Sequence, residues 1–282
     1  MILVTGSTGT VGRAVIDHLL AAGEPVRALT RRPGAAALPP EVEVVGGDPG
    51  RPDTVPGALR GVSRVFLLSS GPDLAAHDRT VAAAAARAGA ERIVKLSSGR
   101  AGDPDATDPI PAWHRAGERA VRESGLAWTI LRPLGFMSNA LHWAPTVRDH
   151  DTVYAPYGQG RIAVIDPSDI AAVAAAALVE PGHDSRIHTL SGPHAVTPGE
   201  QTEMLSEVLG RPLRYVPTEP AQARAALLGA GVDEVMADAI MALRATALDS
   251  FTSVIHPTVQ QITGRPARTF REWARAHRDD FE

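Results

Sequence analysis

The sequence predicts an α/β fold in which helices cover both faces of a doubly wound parallel sheet. Two patterns indicate this fold. Short runs of Val, Ile and Leu alternate with helix-length segments through the first half of the chain, and these apolar runs are continuous rather than interrupted by polar residues. Continuous apolar strands are typical of a parallel sheet that is buried on both faces, and parallel strands need helical crossovers.

The elements of this half can be placed in order along the chain. We expect strands at residues 2–5, 26–30, 42–45, 65–68, 92–96 and 128–131. We expect helices at residues 11–22, 75–88 and 112–124. The whole chain has 282 residues, which is long enough to bury a core without cross-links.

After about residue 134 the pattern changes. Residues 134–159 are rich in aromatic residues, Gly and Pro, and they predict a loop with a short helix. Residues 161–165 and 187–190 predict two short strands, and residues 168–179 between them predict a helix. From residue 197 onward the chain is predicted to be mostly helical.

These patterns predict two parts. A sheet domain is expected to comprise residues 1–134, to which residues 161–190 return. A smaller, mostly helical C-terminal cap is expected to comprise residues 135–160 and 191–282. The apolar helical stretch 221–247 is either a lid or a dimer face, so the sequence is compatible with a monomer or a homodimer.

Composition excludes several kinds of site and partner. The chain has no cysteine, which excludes disulfides, thiolate zinc sites, iron–sulfur clusters and a catalytic thiol. Its formal net charge of −4 does not favour nucleic acid as a partner. The first residues predict a strand rather than a basic leader, and no apolar run has the length of a membrane span, so we expect a cytoplasmic protein.

A glycine-rich loop follows the first predicted strand directly. Glycines 6, 9 and 12 have the spacing GxxGxxG and are followed by an amphipathic helix. In that context Gly6 makes a tight turn, Gly9 lets the backbone approach a pyrophosphate, and Gly12 lets the helix pack closely. The start of the helix then presents free N–H groups to the phosphates. The loop predicts a dinucleotide site in a Rossmann-type domain.

The end of the second strand selects the cofactor. An NAD site usually carries an acidic residue there, which binds the ribose hydroxyls. This chain has no Asp or Glu between Glu24 and Glu41 and instead carries Arg31 and Arg32. Guanidinium groups suit a 2′-phosphate, so the predicted cofactor is NADP (NADPH), with Arg31 favoured as the contact. Asp48, after the third strand, is expected to face the adenine.

With these features the sequence resembles the atypical short-chain dehydrogenase/reductase superfamily, and within it the NmrA-like and NAD(P)H:quinone-oxidoreductase-like branch. The stretches that carry the resemblance are residues 5–9 (TGSTG), 131–139 (LRPLGFMSN), 165–171 (IDPSDIA), 190–193 (LSGP) and 263–270 (TGRPARTF). Combined with the strand ends, the resemblance implies a cofactor site of Gly6, Thr8, Gly9, Thr10, Val11, Gly12, Arg31, Arg32, Asp48, Leu68, Ser69, Ser70, Leu96, Pro133, Gly135 and Phe136.

The superfamily's usual proton machinery, Tyr-x-x-x-Lys, is absent. Lys95 is the chain's only lysine, and no tyrosine precedes it by four residues. The resemblance places His114 where the tyrosine would be and Glu118 where the lysine would be. Their spacing puts both on one helix face, so either Glu118 orients a His114 that donates a proton near neutral pH, or the two form an ordinary surface pair.

The predicted catalytic residues are therefore His114, Ser98 and Ser97. Either serine could donate a hydrogen bond to a substrate carbonyl, and the sequence leaves open which one does so. Lys95 lies within the fifth predicted strand. We expect it to be a structural lysine that extends toward water, although a role in orienting substrate or cofactor is the alternative.

Aromatic residues make up only 4% of the chain, yet they concentrate between residues 136 and 157. Met137, Asn139, Trp143 and Tyr154 are the predicted substrate-binding residues, with core filling as the alternative. The leading hypothesis is an NADPH-dependent ketoreductase or quinone reductase that transfers a hydride to a small apolar or aromatic carbonyl compound, such as a quinone or polycyclic ketone. The second hypothesis is a non-catalytic NADP sensor that binds a protein partner.

Overall fold

The computed structural model describes residues 1–282 and contains nine strands. They are β1 (Ile2–Val4), β2 (Val26–Thr30), β3 (Glu43–Gly46), β4 (Arg64–Leu67), β5 (Arg92–Leu96), β6 (Ala127–Pro133), β7 (Thr152–Ala155), β8 (Arg186–Leu190) and β9 (Arg214–Pro217). Seven of them form one sheet of order β3-β2-β1-β4-β5-β6-β8, in which the pairings from β3 to β6 are all parallel. Strands β1 to β3 are therefore added toward one edge of the sheet, and β4 and the strands that follow it toward the other edge. This order, which changes between β1 and β4, confirms the doubly wound α/β prediction.

Ten α-helices accompany the strands. They are α1 (Thr10–Ala21), α2 (Leu74–Arg87), α3 (Pro109–Arg122), α4 (Ala144–His150), α5 (Pro167–Val179), α6 (Pro198–Leu209), α7 (Pro220–Gly229), α8 (Glu234–Ala245), α9 (Thr258–Thr263) and α10 (Phe270–Ala276). None of these helices has the length and hydrophobicity that crossing a membrane would require.

Both faces of the central strands are buried. Leu3 and Ile93 belong to one apolar cluster with Val81 of α2 and Val121 of α3. Ile2, Val4 and Val94, which are next to them in the strands, are fully buried too, although successive side chains of a strand point to opposite faces. The second face is covered by α5, which packs on β4, β5 and β6 and contacts α1. Two-sided burial explains why the strands are continuous runs of Val, Ile and Leu.

The chain divides into two compact units. The first, which we call the sheet unit, comprises Met1–Gly102, Pro111–Pro133 and Pro167–Thr189. The second unit comprises Asp103–Ile110 and Leu134–Asp166 together with Leu190–Glu282. Its core is built from apolar residues of α4, β7, α6 and α10, with Trp273 and Phe270 among the largest buried side chains.

Two expectations about secondary structure were wrong. Residues 161–165 do not form a strand, because their backbone groups bond to three different segments: Ile162 pairs with Val196, Ala163 donates to Thr252, and Ile165 donates to Gly135. Residues 134–159 contain not only helix and loop but also β7, which pairs in parallel with β9 to form a separate two-stranded sheet. That partner strand lies about sixty residues later, so local pattern could not reveal it.

Lys95 does not extend toward water as expected. Its side chain is fully buried on β5 and forms an ion pair with Asp78 of α2, which is also fully buried. Gly117 of α3 makes room for the pair, because a Cβ at that position would overlap the Asp78 carboxylate. A buried charge is tolerated when an opposite charge accompanies it. The pair therefore connects β5, α2 and α3 in the interior of the sheet unit.

Removing one member of this pair should destabilise the protein strongly. We expect Lys95→Met or Asp78→Asn alone to lower the free energy of unfolding by about 3–5 kcal/mol, because each leaves an uncompensated buried charge. The double variant Lys95→Met/Asp78→Asn should be more stable than Lys95→Met alone. Urea denaturation followed by circular dichroism measures both effects, and losses that simply add in the double variant would contradict the pairing.

Candidate active site

The glycine-rich loop folds tightly against the start of α1. Gly6 has φ +60°, in the left-handed region that favours glycine, and its carbonyl accepts a hydrogen bond from the Gly9 amide at 3.0 Å. A Cβ at Gly12 would overlap the Gly6 carbonyl oxygen. A Cβ at Gly9 would meet only that oxygen, at the ordinary distance of 3.4 Å. Packing therefore requires glycine at positions 6 and 12 but not at position 9, where the predicted reason for glycine is the approach of a pyrophosphate.

The first turn of α1 is suited to an anion. Its N-cap is Gly9, no side chain caps the helix, and no acidic residue lies in the first turn, which contains Thr10, Val11 and Gly12. The first amide groups of a helix have no partners within it, and the helix dipole places positive charge there. Thr8, just before, is exposed. These residues fit the diphosphate of a dinucleotide cofactor.

The end of β4 lies against the same loop. The Thr5 hydroxyl accepts a hydrogen bond from the Leu68 amide at 2.7 Å and donates to the Leu68 carbonyl at 3.0 Å. The Leu68 side chain comes within 2.8 Å of where a Cβ of Gly6 would be. Ser69 is half-buried and Ser70 is exposed. The structure thus brings the strand end predicted to run along the cofactor directly to the glycine loop.

At the ends of β2 and β3, the predicted cofactor residues differ in whether their side chains already bind other groups of the protein. Arg31 and Arg32 are both exposed, and neither forms an ion pair. Arg13, which the sequence analysis did not single out, donates from its guanidinium to the backbone carbonyls of Thr8 and Ala37. Asp48 accepts a hydrogen bond from the Gly50 amide at 2.9 Å and so closes the turn after β3.

Glu118 is the centre of a buried hydrogen-bond network at the ends of β5 and β6. Its carboxylate accepts two hydrogen bonds from Arg132, at 2.8 and 2.6 Å, and one from the Ser97 hydroxyl at 2.6 Å. Arg122 contributes another at 3.2 Å. The prediction that Glu118 orients His114 is therefore wrong, because its oxygens are occupied by other donors. The Ser97 hydroxyl is likewise engaged, because its proton is donated to the Glu118 carboxylate.

Ser98 and His114, unlike Ser97, are not hydrogen-bonded to Glu118. Ser98 is half-buried, and its hydroxyl makes no hydrogen bond within the protein. Nδ1 of His114, on α3, is buried without a hydrogen-bond partner. Burial, together with the charge of Lys95, lowers the pKa of His114 to about 3. The expected acid with a pKa near neutrality is therefore wrong: at physiological pH His114 is neutral and offers only a neutral N–H group.

The strand ends that carry the remaining cofactor predictions are buried. Leu96 ends β5 and Pro133 ends β6, and both are buried in the sheet unit. The other predicted residues belong to the second unit. There Gly135 and Phe136 lie beside Ile165, whose amide donates to the Gly135 carbonyl at 2.8 Å.

The predicted substrate-binding residues are not equally accessible. Met137 is buried and lines a cavity of about 270 Å³ with His194 and Arg275, among others. Met137 and Trp143 both pack in the core of the second unit, which was the alternative interpretation. Asn139 is exposed, and Tyr154 on β7 is 41% exposed. Asn139 and Tyr154 are therefore the accessible members of the predicted set.

Two important residues were not identified from the sequence. Asp78 is one of very few charged residues in a helix otherwise rich in alanine, and the single buried lysine needed a carboxylate partner. Arg132 precedes Pro133 at the end of an apolar strand, where a charged side chain requires a counterion. In both cases the signal was a charge in an apolar segment, but its partner lay on another element.

Comparison with known proteins agrees with this geometry. Residues 6–181 match a family model described as NAD(P)H-binding. A (4-alkanoyl-5-oxo-2,5-dihydrofuran-3-yl)methyl phosphate reductase from Streptomyces griseus is 47% identical over 282 residues, covering 100% of this chain and 99% of the relative. An NAD(P)H azoreductase from Xenophilus azovorans is 39% identical over 284 residues, covering 100% and 99%.

A solved structure shares the fold over nearly the whole chain. The NADPH-dependent quinone oxidoreductase from Escherichia coli, complexed with NADPH, superposes with a TM-score of 0.84 at 28% sequence identity and covers 99% of this chain and 100% of that one. These matches confirm the resemblance seen in the sequence. The chain belongs to the NAD(P)H-binding, quinone-oxidoreductase-like branch of the atypical short-chain dehydrogenase/reductases, and it is a reductase.

Proposed function

We propose that this reductase uses NADPH and delivers a hydride to an electron-poor conjugated acceptor whose reduced form delocalises its own negative charge. The observation that carries the proposal is the lack of an ionisable proton donor at the candidate site. Glu118 is held by Arg132 and Ser97, and the pKa of His114 is lowered to about 3, so at neutral pH the His114 ring is uncharged and is not an imidazolium acid.

The acceptor must then compensate for the missing acid. Hydride addition to an isolated ketone produces an alkoxide, and a positioned general acid contributes typically about 10²- to 10⁴-fold to such a step. Hydride addition to a quinone, or to a carbon–carbon double bond conjugated with carbonyl groups, produces an anion spread over oxygen and carbon. Such an anion takes its proton from water afterwards. The neutral N–H of His114 can still stabilise it by a hydrogen bond.

The names of the relatives support this substrate class. Quinones and azo compounds are conjugated acceptors. The compound named for the relative with 47% identity contains a ring double bond conjugated with the ring carbonyl and with the alkanoyl carbonyl, and it carries a phosphate ester. We propose this phosphorylated class as the first candidate substrate and quinones as the second. Hydride would add to the ring carbon that bears the phosphate-carrying group, the electron pair would move onto the two carbonyls, and solvent would supply the proton.

NADPH, when bound, supplies the hydride. The glycine loop and the first turn of α1 would hold its diphosphate, and Arg31 would bind the 2′-phosphate. Arg31 supports this assignment because it is exposed at the end of β2 and has no carboxylate partner. The sensor hypothesis has no comparable support, since the relatives described above are named reductases.

Charge reversal at Arg31 should change the cofactor preference. We expect Arg31→Asp to lower kcat/KM for NADPH about 10- to 100-fold, because a charge-assisted hydrogen bond is replaced by repulsion, while kcat/KM for NADH changes only about threefold. Steady-state kinetics with both cofactors measure this preference. Arg32→Asp is the comparison variant and should have the smaller effect. An unchanged NADPH-to-NADH ratio in Arg31→Asp would refute the assignment.

A panel of acceptors tests the substrate class. We expect NADPH oxidation with menadione and with a phosphorylated 4-alkanoyl-5-oxo-2,5-dihydrofuran, and a rate at least about 100-fold lower with an isolated ketone such as 2-decalone. Absorbance at the nicotinamide band follows each reaction. Comparable rates with the isolated ketone would show that the protein does supply an acid. No oxidation with any conjugated acceptor would refute the reductase proposal for this class.

The pH dependence tests the state of His114. Because its lowered pKa of about 3 lies far below the assay range, its charged form is absent above pH 5 and its ionisation should not affect the rate between pH 5 and 8. We expect kcat with menadione at saturating NADPH to be flat over this range in the wild type. His114→Gln should keep the same flat profile with a rate reduced by up to about tenfold. A wild-type rate that falls above about pH 6.5, with the fall lost in His114→Gln, would show instead that protonated His114 is the acid.

A further inference from the structure

Ser98 is followed directly by a short 3₁₀ helix, Gly99–Gly102, which lies just after β5 in the sheet unit. The Ala101 amide donates a hydrogen bond to the Ser98 carbonyl at 3.0 Å, so the Ser98 backbone is the first part of this turn. Gly99 and Ala101 are buried, whereas Ser98 is half-buried and its hydroxyl makes no hydrogen bond within the protein. Whatever holds the 3₁₀ helix in place therefore also fixes the point from which the Ser98 hydroxyl projects.

The guanidinium of Arg132 lies against the end of this helix. A Cβ added to Gly102 would lie 3.0 Å from Nη1 of Arg132 and 3.8 Å from its Cζ, so the guanidinium fills the space that a side chain at position 102 would need. Gly102 is not among the residues with positive φ. The approach of Arg132, and not an unusual backbone conformation, therefore accounts for glycine here. The contact joins β6, which carries Arg132, to the turn that follows β5.

Arg132 itself is fixed by Glu118 of α3. Its side chain is 14% exposed and donates to both carboxylate oxygens, at 2.8 and 2.6 Å. The same carboxylate accepts a hydrogen bond from the Ser97 hydroxyl, and the Ser97 amide donates to the Leu131 carbonyl at 2.7 Å. The Glu118–Arg132 pair therefore holds both the residue before Ser98 and the turn after it.

Stability alone does not account for an ion pair at this place. A buried pair loses the hydration of two charges, and apolar residues of similar volume often stabilise a protein as well or better. Such a pair does fix geometry, because each guanidinium hydrogen bond has a preferred length and direction. The residue that the pair holds from both sides is Ser98, whose hydroxyl is free to bind a ligand.

We infer that Arg132 is a positioning residue for the reduction: through the 3₁₀ helix it holds the Ser98 hydroxyl where it donates a hydrogen bond to an oxygen of the hydride acceptor. The inference rests on the proposed function. Ser98 follows the carboxyl end of β5, and ligands bind at this edge of a doubly wound sheet. Hydride addition places negative charge on the acceptor oxygen, and a donor that is already in place stabilises that charge best. Arg132 acts through Ser98, because its own donors face Glu118.

A double-mutant cycle tests whether Arg132 acts through Ser98. We expect Ser98→Ala to lower kcat with menadione at saturating NADPH about 10- to 100-fold, because a preorganised donor to the developing anion is lost. Arg132→Lys keeps the charge beside Glu118 without the planar fork and should lower kcat about 3- to 10-fold. The double variant should be within about twofold of Ser98→Ala alone, since Arg132 then has nothing left to position. Losses that multiply in the double variant, or a Ser98→Ala effect below about twofold, would overturn the inference.

Two further variants separate positioning from support of the fold. Gly102→Ala alters no charge, but its Cβ must displace the Arg132 guanidinium by a few tenths of an ångström. We expect kcat to fall about 2- to 5-fold, and this fall should vanish in the Ser98→Ala background. Arg122→Met is the matched control, because Arg122 donates to the same carboxylate at 3.2 Å but is 40% exposed and is not among the atoms nearest Gly102. Ser98→Ala should cost the same factor in Arg122→Met as in the wild type, and a smaller cost there would assign the role to the Glu118 charge instead of Arg132.

Hydrogen exchange followed by mass spectrometry gives a readout that does not need turnover. We expect the peptide that covers residues 97–102 to exchange at least about fivefold faster in Arg132→Lys than in the wild type, and at the wild-type rate in Arg122→Met, because the Ala101 amide is protected by its bond to Ser98. Equal exchange in all three proteins would overturn the positioning role. If the wild type reduces neither menadione nor the phosphorylated dihydrofuranone, the proposed function fails, whereas the exchange result still decides whether Arg132 holds the turn that carries Ser98.

Discussion

The geometry at the carboxyl ends of β5 and β6 depends on the buried carboxylate of Glu118. It accepts hydrogen bonds from Arg132 on β6 and from Ser97 just after β5, and it is carried by α3, which connects these two strands. One side chain therefore joins both strand ends to the helix that crosses between them. A buried charge of this kind is stable only while its donors are in place, so the shape of this edge and the state of Glu118 depend on each other.

The same arrangement limits the chemistry available at this edge. The Glu118 oxygens are occupied, the charge of Lys95 is compensated by Asp78, and His114 is kept neutral by its burial and by the charge of Lys95. These charged groups hold elements together rather than exchange protons. A hydride acceptor that delocalises its own charge is compatible with such an edge, which connects the missing Tyr-x-x-x-Lys motif to the class of substrate proposed here.

The features that could be predicted were local in the sequence. The three glycines lie within seven residues, from just after β1 into the first turn of α1, and the overlap that a Cβ at Gly12 would make with the Gly6 carbonyl oxygen agrees with the predicted need for close packing there. The apolar run 161–165 was misleading, because its backbone groups bond to segments as distant as Thr252. Glu118 was placed correctly on α3 but assigned the wrong partner, since helical spacing suggested His114, while the true partners are Ser97, just after β5, and Arg132 on β6.

By itself, the sequence determined the α/β frame, the phosphate loop, the arginines in place of an acidic residue at the end of β2, and the lack of the usual proton donor. Each of these depends on residue identity within a few neighbouring positions. Only the tertiary structure decided which charges are compensated: it paired Lys95 with Asp78 and Glu118 with Arg132. The physical reason is that burial and charge pairing depend on distances between elements that are far apart in the chain, and residue spacing does not encode those distances.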